Sequence, residues 1–149
     1  MQTVSIEGLK ELERQLNDVL TKLPEKRKEL HQRVGEQVKS ALDSNIKSHR
    51  VRSWQKPYVG SKGGYTAVRA IGSKEGAKTG PNGPGAITNY LESGHQIRRP
   101  SGKAGYSPRI KVGRVPGQYF YRKTQNSAEK IALKAAEAFA EELAKQLGG

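Results

Sequence analysis

The distribution of glycine and proline divides this chain of 149 residues into three parts. Residues 47–123 contain 13 of the 17 glycines and six of the seven prolines. Both residue types disfavour the interior of a helix and mark turns. The same stretch holds 16 basic and two acidic side chains, so its net charge is +14, whereas the whole chain carries +13. The sequence therefore predicts two helical ends around a basic centre that is rich in turns.

The first 48 residues have the apolar spacing of helices. The first apolar series has steps of three and four residues, which places it on one helical face, and consists of Leu9, Leu12, Leu16, Val19 and Leu23. Pro24 follows, and we expect it to end one helix and start another, because proline is tolerated in a first helical turn. The second series extends to about Ser48 and consists of Leu30, Val34, Val38, Leu42 and Ile46.

The other end of the chain predicts one long helix. Residues 118–147 lack glycine and proline and are rich in alanine, the best helix former. Apolar side chains recur at helical spacing, and we expect three of them to anchor the helix in the core: Phe120, Ile131 and Phe139. Between the helical ends, residues 65–71 predict a strand, residues 86–91 a strand or short helix, and residues 109–112 an edge strand.

Length and composition narrow the class of protein. A chain of 149 residues corresponds to one domain, with residues 1–48 helical, 49–117 forming basic strands and loops, and 118–147 forming the last helix. The longest apolar runs are three or four residues, whereas a membrane span needs about 20. No secretory leader is expected. Cysteine is absent, which excludes disulfides and thiolate metal sites, and no cofactor or metal is predicted.

Catalytic signatures are sparse in this sequence. It contains no nucleophile elbow, zinc-protease helix, phosphate-binding loop or dinucleotide fingerprint. Glu92 and His95 lie close enough in sequence for a nuclease pair, yet Glu75 is the one other carboxylate in the basic centre. General acid–base catalysis needs further partners, and a two-metal nuclease needs several acids. We therefore predict a protein that is not an enzyme and keep a nuclease or toxin as an alternative.

The basic centre is either a set of solvated loops or a surface for a binding partner of negative charge. Lysine and arginine attract phosphate without reading sequence, but they also pair with acidic protein surfaces. Aromatic side chains interleave with the basic ones, namely Trp54, Tyr58, Tyr65, Tyr106, Tyr119 and Tyr121. Such a mixture suits both stacking on nucleic acid and protein interfaces. A small nucleic-acid-binding module is therefore the second reading of the sequence.

The order of short motifs along the chain resembles a known family. The chain opens with residues 4–12 (VSIEGLKEL), carries Tyr90-Leu91-Glu92-Ser93-Gly94-His95 in its centre, and enters the last helix through residues 116–123 (PGQYFYRK). These motifs and their order resemble the tail-completion or head–tail joining proteins of long-tailed double-stranded-DNA phages, also described as minor tail components. In that family the central motif has an aromatic residue, two further residues, and then Glu-x-Gly followed by Thr or His. Tyr90, Glu92, Gly94 and His95 match it, with one residue fewer between aromatic and glutamate.

The resemblance implies both a fold and a role. The fold would be α+β, with a small, mainly antiparallel sheet packed by long N- and C-terminal helices and with long basic loops. The protein would form a ring, hexameric by resemblance, at the neck or tail end of the virion after assembly in the host cytoplasm, and would join DNA-filled heads to tails. Its partners would be other neck, connector or tail-tube proteins.

Two groups of residues follow from these arguments. Tyr90, Glu92, Gly94 and His95 are expected to form a structural corner, with Glu92 paired to a lysine or arginine and Gly94 supplying a backbone angle that a side chain disfavours. The contact with a partner ring or with DNA is assigned to basic side chains within 17 residues that contain no acid, namely Arg98, Arg99, Lys103, Arg109, Lys111 and Arg114.

Overall fold

The computed structural model describes residues 6–96 and 113–148 and has an α+β fold. Its elements follow one another as α1 (Ile6–Asn45), α2 (His49–Trp54), β1 (Gln55–Val59), β2 (Thr66–Ala70), a 3-10 turn (Ser73–Glu75), α3 (Pro84–Ser93), β3 (Gly94–Gln96), β4 (Arg114–Pro116) and α4 (Phe120–Gly148). The predicted fold class, with long helices at both ends and small antiparallel sheets, is confirmed. No helix of the described part is both long and apolar enough to cross a membrane.

The described strands form two separate two-stranded antiparallel sheets. The β1–β2 hairpin is closed at its turn by a hydrogen bond from the Gly60 amide to the Tyr65 carbonyl, 2.9 Å long. The predicted strand over residues 65–71 is thereby confirmed within one residue of each end. The β3–β4 pair has the register Gly94 with Pro116, His95 with Val115 and Gln96 with Arg114. The strand predicted for residues 109–112 lies outside the described residues.

The predicted break at Pro24 is wrong, because α1 continues through this proline as one helix of 40 residues. Proline inside a helix removes one hydrogen bond and costs about 3 kcal/mol. Contacts with α4 exist on both sides of the proline: Val19 lines one depression with Gln146, and Lys26 forms an ion pair of 3.2 Å with Glu142. A partly exposed ion pair contributes at most about 1 kcal/mol, so it offsets only part of this local cost.

Helix α3 settles the ambiguity between strand and helix at residues 86–91. Pro84 occupies the first turn of this helix, and Gly83 precedes it with extended backbone angles. Proline suits the first helical turn because its missing amide would have no partner there. Residues 86–91 therefore belong to a helix, and the segment before them is closed by the turn that ends at Gly83.

The described residues form two compact units. Unit 1 comprises residues 6–40, 57–68 and 126–148, and unit 2 comprises residues 41–56, 69–96 and 113–125. Four of the five buried apolar side chains lie in unit 2, at Leu42, Ile46, Val51 and Phe120, whereas Val34 lies in unit 1. The buried apolar side chains of the described residues thus lie mainly in unit 2.

The three expected anchors of α4 differ in burial. Phe120 is fully buried at 0% exposure, while Ile131 and Phe139 are only half-buried. Helix α4 itself spans Phe120–Gly148, close to the predicted 118–147. The spacing of apolar residues thus predicted the helix and one deeply buried anchor, while the other two lie at the edge of the packed surface in unit 1.

Candidate functional site

Glu92, the last residue but one of α3, caps the N-terminus of α4 with its side chain. Its carboxylate oxygens accept hydrogen bonds from the backbone amides of Tyr121 (3.0 Å) and Arg122 (3.1 Å). The first four amides of a helix lack partners within it and carry partial positive charge, so a carboxylate there is stabilising. Among the described residues, the Glu92 carboxylate contacts this helix terminus and not the lysine or arginine side chain that the sequence predicted.

Backbone hydrogen bonds hold the same two segments together. The Gln118 amide donates to the Leu91 carbonyl over 2.8 Å, and the Tyr119 amide donates to the Glu92 carbonyl over 3.1 Å. Tyr119 has φ of 52°, in the left-handed region that residues other than glycine rarely adopt. The end of α3 and the start of α4 are therefore fixed to each other by main-chain and side-chain hydrogen bonds. We call residues 90–95 and 116–122 the corner.

Two glycines make this close approach possible. Gly94 has φ of 75°, as the sequence predicted, and a Cβ atom there would overlap the carbonyl oxygen of Val115 and lie 2.7 Å from the Gly117 nitrogen. At Gly117, a Cβ atom would overlap the carbonyl oxygen of Glu92. At position 94, glycine avoids the overlap because it has no Cβ atom, and it also adopts a positive φ without strain. The paired strands β3 and β4 extend from the corner; we call this pair, residues 94–96 and 114–116, the stem.

A buried polar network in unit 2 supports the corner from one side. Gln55 and Thr88 are 0% and 1% exposed. The Gln55 Nε2 atom donates to the Val51 carbonyl (3.2 Å) and to Thr88 Oγ1 (3.3 Å), while the Tyr121 hydroxyl donates to Gln55 Oε1. Buried polar groups are stable only when they are hydrogen-bonded, so this network fixes the mutual positions of α2, α3 and α4 within the unit. The sequence analysis did not identify Gln55 or Thr88.

Tyr121 has a shifted acidity because of this position. Burial raises the pKa of its phenol to about 12, and the negative charge of Glu92 adds to the shift. In the unfolded chain a tyrosine has a pKa of about 10. As pH rises from about 10 to about 12, the unfolded state loses this proton before the native state does. Ionisation therefore favours unfolding in this range, and this contribution to stability is lost as pH rises.

We expect Tyr121→Phe to reveal this linkage. At pH 8 the variant should be less stable than the parent by about 1–3 kcal/mol, because Gln55 Oε1 loses its buried donor. The difference should shrink above pH 10, since the variant has no phenol to ionise. Urea unfolding at pH 8 and pH 11 measures it, with Tyr65→Phe at an exposed tyrosine (63%) as the control. A difference that stays constant over this range would contradict the assignment.

Two further corner residues contact each other through their rings. The rings of Tyr90 and His95 lie 5.5 Å apart between centroids and are inclined by 54°. The Glu92–His95 pair considered for a nuclease is not formed as a hydrogen bond, since the described partners of the Glu92 carboxylate are the α4 amides. In the described ranges, no group of three or more His, Cys, Asp or Glu side chains is arranged to hold a metal ion.

Of the six basic residues predicted to contact a partner, Arg114 is in the described part of the chain. It is exposed on β4 and donates to the Ser93 carbonyl over 3.4 Å. The other five, Arg98, Arg99, Lys103, Arg109 and Lys111, lie outside the described residues. Their segment, residues 97–112, connects β3 to β4, so the stem fixes where it leaves and re-enters the fold.

The charge of the chain follows the division into units. The described residues of unit 2 carry ten basic and three acidic side chains, and residues 97–112 add five basic and no acidic ones. Unit 1 carries 12 basic and 11 acidic side chains in its described residues. Within unit 2, Arg50 stacks on Trp54 with its guanidinium 5.2 Å from the ring centre. The basic excess is therefore a property of unit 2 and the segment it carries.

Comparison with known proteins does not place the chain in a family. No protein-family model matches it, and the searches of curated proteins and of solved structures also found no match.

Proposed function

We propose that this protein is a structural component of a phage virion that joins the DNA-filled head to the tail, as a homo-oligomeric ring at the neck or tail end. The proposal assigns it no catalytic step. It places the protein in the host cytoplasm during assembly and in the virion afterwards, in contact with other neck, connector or tail-tube proteins. The hexameric ring size comes from the resemblance described above.

One observation carries the proposal: two of the motifs on which the resemblance depends meet in the corner. The motif of residues 90–95 supplies Glu92 and Gly94, and the motif of residues 116–123 supplies the amides that Glu92 caps. Twenty residues lie between the two motifs in sequence, and the strands β3 and β4 connect the motifs to the basic segment. The resemblance therefore involves residues that act together in the fold, which supports it beyond the order of short motifs.

The corner also gives the basic segment a physical role. Both ends of residues 97–112 are fixed to the corner through β3 and β4, so five basic side chains are attached to a rigid base next to the start of α4. Charges at the rim of an interface act mainly on the rate of association and on partner choice. An acidic ring, or the DNA that passes through the neck, is the partner that such a segment fits.

Charge reversal in this segment tests the proposal. The gene is deleted from the phage genome that encodes it, and a triple variant is supplied in trans. This variant combines Arg98→Glu, Arg99→Glu and Lys103→Glu. The joining rate should fall by about 10–1,000-fold, the usual range of electrostatic steering. Electron microscopy should show filled heads and tails as separate particles. The matched control reverses three exposed lysines of unit 1 (Lys22, Lys28 and Lys145) and changes the net charge equally.

Joined, infectious particles at the parental yield from the triple variant would contradict the role of the segment. Joining defects of equal size in the control would show that net charge, rather than this segment, is responsible. If mass spectrometry does not detect the protein in purified virions, this result would contradict the proposal as a whole.

The charge of unit 2 also supports a second candidate, a nucleic-acid-binding module. Such a module should bind random duplex DNA with micromolar affinity, and the logarithm of the binding constant should fall steeply with the logarithm of salt concentration. A slope of about −5 corresponds to about six phosphate contacts. Binding of this kind, together with normal joining by the triple variant, would favour the second candidate over the first.

A further inference from the structure

Helix α4 presents an exposed apolar stripe along one face. The stripe has helical steps of three and four residues and consists of Leu133, Ala136, Ala140, Ala144 and Leu147. Leu133 is 62% exposed and Leu147 is 41% exposed, and the three alanines between them are also exposed. At 1.5 Å per residue the stripe is about 21 Å long. Small residues between two leucines allow another helix to approach closely.

A groove lies on the opposite side of the same helix, between α1 and α4 of unit 1. Its volume is about 360 Å³. The apolar side chains that line it are Leu30 of α1 and Ile131, Ala135, Ala138 and Phe139 of α4. Leu133 is two residues from Ile131, which corresponds to about 200° around a helix. The stripe and the groove are therefore two different surfaces of unit 1, pointing in opposite directions.

The charges of unit 1 favour a second copy of this chain as the occupant. Its described residues are almost balanced, with 12 basic and 11 acidic side chains, whereas unit 2 and its segment repel a like-charged copy. Arg33 and Lys134 line the groove with Glu29, while Lys26 and Glu142 are paired with each other. Glu137 and Glu141 flank the stripe, with Lys130 near its start. An acidic excess beside the stripe thus meets a basic excess in the groove.

We propose that the α4 stripe of one copy packs into the α1–α4 groove of the next copy, so that copies associate head to tail. Because the two surfaces differ, the contact leaves one groove and one stripe unoccupied after each addition. Such heterologous association produces a closed ring or an open chain, rather than a symmetric dimer. The inference rests on the proposed function, since it supplies the ring that head–tail joining requires, and it names the surfaces that form it.

Three single variants test the contact. Leu133→Glu places a charge in the stripe, and Ala138→Glu places one in the groove at an exposed alanine. Each should raise the dissociation constant for self-association by at least about tenfold. Leu20→Glu is the matched control, because Leu20 is 59% exposed and lies on α1 outside the groove. Sedimentation measures self-association, and circular dichroism checks that all three variants keep their helices.

Mixing the two disrupted variants separates this arrangement from a symmetric one. Ala138→Glu retains an intact stripe and Leu133→Glu an intact groove, so an equimolar mixture should form a one-to-one dimer of twice the 16.4 kDa chain mass. Neither variant alone should do so. A mixture that stays monomeric while the parent self-associates would overturn the head-to-tail contact.

Engineered cysteines extend the test to weak association. The chain has no cysteine, so Leu133→Cys mixed with Ala138→Cys should form a mixed disulfide faster than either variant forms a homodimer. Failure of the mixed disulfide to exceed the homodimers would overturn the inference even if head–tail joining were observed. Self-association through these surfaces without any joining of heads to tails would instead contradict the proposed function and leave the contact intact.

Discussion

Replacing Phe120 with alanine should lower the free energy of unfolding by about 3–5 kcal/mol, the usual cost of removing a buried phenylalanine. Phe120 is the largest fully buried side chain among the described residues, at 0% exposure. A small domain has a total stability of about 5–15 kcal/mol, so this change removes a large part of it. Urea unfolding followed by circular dichroism gives the difference directly.

Phe139→Ala provides the matched comparison on the same helix. Phe139 is only half-buried and lines the groove of unit 1. The free energy lost should be smaller than that lost at Phe120, because the hydrophobic contribution scales with the apolar area removed from water. Equal losses of unfolding free energy at the two positions, measured with the parent and both variants as monomers, would contradict the difference in burial.

Gly94→Ala should be about as damaging, through the backbone rather than the core. Its φ of 75° is strained for any residue with a side chain, and its new Cβ atom would overlap a main-chain oxygen of β4 that cannot rotate away. We expect a loss of more than about 3 kcal/mol, the sum of a backbone strain of about 1–3 kcal/mol and the overlap. The melting temperature of the variant checks this.

Gly85→Ala is the control for the glycine substitution. Gly85 lies in the first turn of α3, and a Cβ atom there would have open space around it. Alanine should leave stability unchanged or raise it by up to about 1 kcal/mol, because glycine is the poorer helix former. Similar destabilisation at both positions would show that the effect at Gly94 does not come from the corner.

The sequence predicted the long helices and β2 because these features depend on local spacing, whereas it did not predict β1. It did not predict that α1 continues through Pro24, because the α4 residues that lie beside this part of α1 are more than 100 residues away in sequence. It could not distinguish Phe120 from Phe139 either. Both lie at apolar positions of one helix, and their burial depends on which side chains lie opposite them.

The corner was predicted in part. Its residues and the backbone angle of Gly94 follow from the sequence, whereas the partner of Glu92 does not. A glutamate in a basic region suggests an arginine or lysine as its partner. The backbone amides at the start of a helix have no sequence pattern that identifies them as hydrogen-bond donors to that glutamate. Gln55 was also missed, since a single glutamine gives no pattern. The expectation of head–tail joining remains a prediction that the experiments above test.

The stem of β3 and β4 makes the corner independent of the length of the segment between these two strands. Since the register of the stem and the glycine contacts fix both ends of the segment, its length and sequence can change while the corner stays the same. Doubling the length of a flexible loop costs only about 0.6 kcal/mol. Residues can therefore be inserted between β3 and β4 at little loss of stability. For the same reason, the segment is the natural position at which to graft a foreign peptide.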